Sequence, residues 1–95
     1  MGTLLESVET SITQQKWEGA QELTNYAQQK WKDDGTWWSI LLDHHEIDSI
    51  DINLERLGKF LAMQDVPRSL GELTTLRLIF EHIFDMEAFT LENIF

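Results

Sequence analysis

The run Ile47-Asp48-Ser49-Ile50-Asp51-Ile52-Asn53-Leu54-Glu55-Arg56-Leu57-Gly58-Lys59-Phe60-Leu61 decides the fold class. Ile47, Ile50, Leu54, Leu57 and Leu61 recur at steps of three and four. That spacing lines one face of an α-helix, on which successive residues turn by about 100°. A strand would need apolar residues at every second position, and β-branched residues nowhere alternate for long. With one proline and five glycines in 95 residues, a helical period fits nearly the whole chain. The expected class is all-α.

Working outward, the helical pattern extends without a break from Trp37 to about Met63, about 40 Å of helix at 1.5 Å per residue. Asp65-Val66-Pro67 then restarts the chain, with Asp65 as a cap and Pro67 in the first turn, where its missing N–H does no harm. The next helix is predicted to run to about Phe84. Its apolar stripe is Leu73, Leu76, Phe80 and Phe84, with Val66 and Leu70 at its start. Thr90-Leu91-Glu92-Asn93 predicts a short final turn that tucks Phe89, Ile94 and Phe95 against the bundle.

Toward the N-terminus, Asp33-Asp34-Gly35 reads as a stop, because glycine readily takes the left-handed conformation that ends helices, and Thr36 can cap the next helix. Residues 15–32 form a segment with Trp17, Ala20, Leu23 (or Thr24), Ala27 and Trp31 at helical spacing. Thr3-Leu4-Leu5-Glu6 has the spacing of a capping box, starting a helix that ends near Ile12. Thr13-Gln14-Gln15 is a weak break, so residues 3–32 read either as two helices or as one. The expected architecture is a small antiparallel helical bundle in one domain, residues 1–95. It has three main helices, a short N-terminal helix and a C-terminal turn.

Composition narrows the function classes. Hydrophobic residues make up 42% and aromatics 11%, including four tryptophans, which is too much for a disordered segment. Cysteine is absent, so no disulfide, thiolate metal site or thiol nucleophile exists. Seventeen acidic against seven basic residues give a net charge of −10, and the basic residues form no run. Such a surface repels phosphate backbones, so no nucleic-acid partner is expected. No apolar stretch approaches the roughly 20 residues needed to span a bilayer, and no signal peptide is visible.

On the helix through Ile47–Leu61, a polar ladder of His44, Asp48, Asp51 and Glu55 lies beside the apolar stripe, and Asp43 projects into the stripe itself. Arg77 sits inside the stripe of the following helix, flanked by Glu81. A buried arginine needs a partner, since an isolated buried charge is costly. Reflecting the two helices about their loop puts Arg77 level with Ile52, which predicts an ion pair with Asp48 or Asp51. Asp48, Asp51, Arg77 and Glu81 are therefore the expected structural polar network.

His44, His45, Asp48 and Asp51 are also the candidate metal ligands, and known spacings test them. A zinc-protease helix needs His-Glu-x-x-His, but His45-Glu46 is followed by Ser49 where the second histidine should stand. Di-iron bundles need Glu-x-x-His, and the residues three before His44, His45 and His82 are Leu41, Leu42 and Ile79. A calcium loop from Asp51 would need glycine where Arg56 stands. The remaining feature is a His44–Asp48 pair one turn apart, with carboxylates nearby. No cofactor is expected. A His–Asp pair can support acid–base chemistry, but no nucleophile elbow or glycine-rich phosphate loop accompanies it, and His82 reads as a surface histidine.

The aromatics point toward association instead. Trp37 and Trp38 are neighbours about 100° apart on a helix and cannot both face the core. One is expected to be partly exposed, and an exposed aromatic patch marks a contact with a protein partner or a second copy.

Trp38, His45-x-Ile47-Asp48, Ile50-x-Ile52-x-Leu54-x-x-Leu57, Leu76-x-Leu78-Ile79-x-Glu81-His82-Ile83 and Leu91-Glu92-Asn93-Ile94-Phe95 together resemble the bacterial family called domain of unknown function 4363. The resemblance covers most of the chain and is densest from Trp37 to Phe95. It implies a small bacterial protein, often held by an N-terminal hydrophobic anchor that places the domain outside the cytoplasmic membrane, and no particular activity. The present chain contains no such anchor. The favoured reading is a non-enzymatic interaction or structural module; the alternative is a metal- or small-ligand-binding bundle using His44, His45 and Asp48.

Overall fold

A computed structural model describes the backbone of residues 2–94 and the side chains of residues 4–82. Among the described residues five helices follow one another: α1 (Gly2–Thr13), α2 (Trp17–Asp33), α3 (Gly35–Leu41), α4 (His44–Ala62) and α5 (Val66–Ile94). No strand occurs among the described residues.

Two glutamines set the sharpest stops. Gln15 and Gln64 have φ of 57° and 55°, the left-handed conformation that usually falls to glycine. After α1, the Gln15 N–H bonds to the Ile12 carbonyl (2.9 Å) and the Lys16 N–H to that of Ser11 (2.8 Å). After α4 the pattern repeats: Gln64 bonds to Leu61 (3.0 Å) and Asp65 to Phe60 (3.1 Å). Both are the paired closure that satisfies the last carbonyls of a helix. The weak break after Ile12 is therefore real, and residues 3–32 form two helices.

Aspartates make the starts. Asp65 Oδ1 accepts from the Arg68 N–H at 3.0 Å, as its position before Pro67 predicts. Asp43 Oδ1 accepts from the Glu46 N–H at 2.9 Å, capping α4. This corrects the expectation of one unbroken helix from Trp37 to Met63. Leu42 is extended at φ −117°, ψ 153°, and Asp43 turns outward as a cap, so it does not project into the apolar stripe.

Helix α2 does end at Asp33, within the expected stop, but three details need correction. No described glycine has positive φ; Gly35 opens α3, and Asp34 (φ −91°, ψ 12°) makes only a brief interruption after α2. Thr36 lies inside α3, whose first turn has no side-chain cap. At the other end, α5 continues past Phe84 to Ile94, so no separate final turn comes after it. The expected packing of Phe84, Phe89, Ile94 and Phe95 lies outside the described side chains.

The core is one cluster. It holds Leu5, Val8 and Ile12 of α1, Ala20 and Trp31 of α2, Leu42, Ile50, Leu54, Leu57 and Leu61 of the α4 region, and Leu73 and Leu76 of α5. The stripe read from sequence on α4 is this core, with Ile47 half-buried at its edge. On α2, Thr24 rather than Leu23 takes the fully buried position, and among the described residues its hydroxyl has no partner. Each fully buried leucine or isoleucine contributes about 1.5–3 kcal/mol. A single hydrogen bond gives about 1 kcal/mol net, so the stripe dominates stability. Helix α1 packs on α2 and α5, and α4 packs on α2 and α5, while α3 bridges α2 and α4 at one end.

Candidate functional site

The ladder His44, Asp48, Asp51, Glu55 is exposed along α4, with Asp51 turned toward α2. Its Oδ1 accepts from the indole Nε1–H of Trp31 on α2 at 2.7 Å. Trp31 is 4% exposed. It stacks on Trp38 (centroids 5.0 Å apart) and meets Phe80 edge-on (5.9 Å). A buried indole needs an acceptor for its one donor. Asp51 therefore works as a structural acceptor at the junction of α2, α3, α4 and α5. Asp48 and His44 are exposed and, among the described residues, have no side-chain bond partner.

Arg77 lies on the opposite flank of the bundle. Its guanidinium hydrogen-bonds to Glu9 and approaches Glu6 at 3.9 Å, both on α1. The expected pairing with Asp48 or Asp51 is not the one found. Arg77 points about 100° around α5 from the core residue Leu76, on the side that packs against α1. Glu81 is exposed and forms no ion pair among the described residues. Asp48, Asp51, Arg77 and Glu81 thus do not meet in one network.

The metal candidates do not converge either. His44 and His45 are both exposed and diverge by about 100°. Among the described residues no group of three His, Asp or Glu side chains is placed to hold an ion. His44, His45, Asp48 and Asp51 therefore lack the geometry that the metal reading requires.

Sequence reasoning missed two features. Glu72 on α5 is buried, 7% exposed, with Oε2 at 3.4 Å from Arg56 and Oε1 unpartnered. Its place one turn before Leu76, on the core stripe, was the available signal. The second is an open groove of about 460 Å³ between α4 and α5. From α4 it is lined by Asp43, His45, Glu46 and Ser49. Thr75, Leu78, Ile79 and His82 line it from α5. It joins His45 to His82, and Glu46 Oε2 is buried without a partner.

Over residues 1–94 the chain matches the family described as Domain of unknown function (DUF4363). The chain belongs to that family. For this DUF4363 domain no curated protein and no solved structure gives a match. Among its described residues, no helix is long and apolar enough to cross a membrane.

Proposed function

We propose that this DUF4363 domain is a non-enzymatic interaction module, one antiparallel helical bundle over residues 1–95 that presents α3 to a protein partner or a second copy. The observation that carries the reading is the exposure of Trp37 and Ile40, 52% and 72%, on a seven-residue helix with no charged residue. The two stand three apart and share one face of α3. Its other face is committed inward, through Trp38 stacked on Trp31 and the half-buried Leu41. In a chain of net charge −10, an uncharged turn carrying an exposed tryptophan has the composition of an interface centre.

Three observations support the antiparallel arrangement. The turns at 14–16 and 63–65 are short and join helices that pack together. Arg56 reaches Glu72 across the second turn, and Trp31 reaches Asp51 between α2 and α4. In this reading the module is the exposed part of an anchored bacterial protein, as the family resemblance suggests.

The test is affinity capture from membrane and soluble fractions, with the wild-type chain and the Trp37→Ser/Ile40→Ser variant as parallel baits, together with sedimentation of each alone. A partner or dimer present with the wild type and lost with the variant supports the reading. Equal capture and equal sedimentation by both contradict it.

A further inference from the structure

We infer that the Trp37/Ile40 face of α3 takes a protein segment carrying lysine or arginine beside an apolar side chain, and not a second copy of this chain. The inference rests on the reading of α3 as an interface and adds the charge of its partner. Residues 33–43 contain Asp33, Asp34 and Asp43 and no lysine, arginine or histidine. Asp33 and Asp34 directly precede the first turn of α3, and Asp43 follows its last residue by two. Carboxylates thus bracket the uncharged apolar face at both ends, and all three are exposed.

Contacts within the chain leave these charges uncompensated. Asp33 accepts from the Gln29 side-chain amide and Asp43 from the Glu46 N–H, both at 2.9 Å and both neutral donors. Asp34 makes no side-chain cap bond. Among the described residues none of the three forms an ion pair; the pairs found there use Arg56, Arg68 and Arg77 of α4 and α5. Lys30 and Lys32 in the last turn of α2 are the nearest cations along the chain, two against three carboxylates over residues 30–43. A two-fold contact through α3 would bring both sets of carboxylates together, between chains of net charge −10. Like charges across an interface oppose association, and a phosphate-bearing partner meets the same repulsion. A segment with cations around an apolar anchor fits both features. The anchor covers Trp37 and Ile40, and the cations pair with the aspartates at the rim, where charge sets partner choice.

The experiment follows the fluorescence anisotropy of two labelled amphipathic peptides added to the full chain, one of leucine and lysine and its twin of leucine and glutamate. Saturable binding is expected with the basic peptide and none with the acidic one. Asp33→Asn/Asp34→Asn/Asp43→Asn removes the three charges and keeps the α4 cap, since asparagine caps as well as aspartate. It should weaken binding of the basic peptide by about tenfold, and Trp37→Ser/Ile40→Ser should weaken it at least as much. Glu18→Gln/Glu22→Gln/Glu55→Gln changes the net charge equally at exposed positions, near the start of α2 and midway along α4. That control should stay within about twofold of the wild type. Weakening by Trp37→Ser/Ile40→Ser but not by the aspartate variant would leave the interface standing and overturn the inference about its charge. So would equal weakening by both carboxylate variants, equal binding of the acidic peptide, no binding of the basic one, or a wild-type dimer lost in Trp37→Ser/Ile40→Ser. Recruitment to neutral phosphatidylcholine vesicles in place of the peptide would overturn it in favour of a membrane. A basic peptide bound equally by the wild type and Trp37→Ser/Ile40→Ser would overturn the inference together with the reading of α3.

Discussion

Trp31 and Asp51 tie α2 to α4 through one 2.7 Å hydrogen bond from a buried indole to a carboxylate, and the tryptophan also seats α3 and α5 through Trp38 and Phe80. Asp51, one of the tempting acidic residues of the helix, is thereby explained by packing. A hydrogen bond to a charged acceptor contributes about 1.5–3 kcal/mol. Asp51→Ala leaves the indole without an acceptor and is expected to cost about 1–3 kcal/mol in denaturant unfolding. Trp31→Phe should cost at least as much, because packing is lost too. The double variant Trp31→Phe/Asp51→Ala should be less destabilised than the sum. Additive effects would mean that the bond contributes nothing.

Asp43 is expected to matter more than its exposure suggests. Asp43→Ala removes the acceptor for the Glu46 N–H and should cost about 0.5–2 kcal/mol. Hydrogen exchange gives a local check: the amide of Glu46 should exchange faster in the variant, while that of Leu57, deep in the core, changes only with global stability. An unchanged Glu46 amide would show that the break at Leu42–Asp43 does not depend on the cap.

These junctions also show how far the sequence could be read. The stripe from Ile47 to Leu61 was legible because helical periodicity is a property of the whole run, and Asp65 with Pro67 marks the start of α5 unambiguously. Asp43-His44-His45-Glu46 carried a capping signal as well. It was obscured because the apolar period passes through Trp38, Leu41 and Leu42 into α4 without a gap. Gln15 and Gln64 could not be read as left-handed from residue type, and Gly35, which could, is helical. The partner of Arg77 depended on which way round α5 the residue points, toward α1 or toward α4, a choice that level along the axis does not make. His82 was read as a surface residue, and it is exposed. Only the packing of α5 on α4 brings it opposite His45 and Glu46.

The two left-handed glutamines yield a stabilising prediction. A non-glycine residue pays about 1–2 kcal/mol in this conformation, partly offset by the larger unfolded-state entropy of glycine. Gln15→Gly and Gln64→Gly are each expected to stabilise by about 0.5–1 kcal/mol, additively, since the two turns share no partners. Thermal melts raised in both single variants and further in the double support this. A lowered melt in either would mean that its glutamine side chain contributes packing that outweighs the backbone cost.

Glu72 should behave asymmetrically with Arg56. Arg56→Ala leaves the buried carboxylate unanswered and is expected to destabilise by about 1–3 kcal/mol. Glu72→Met removes the buried charge along with its unpartnered Oε1, fills similar space, and should be neutral or stabilising. Equilibrium unfolding of the two single variants and the double decides it. If Glu72→Met proves the more damaging change, the pair holds the helices together more strongly than its geometry indicates.

Trp31 holds the bundle, and Trp37, six residues along, is the residue proposed to face a partner. The most direct measurement is partner capture by the Trp37→Ser/Ile40→Ser chain at a melting temperature matched to the wild type. An unchanged melt with loss of the captured protein or of the dimer is expected. An unchanged melt with capture fully retained would contradict it.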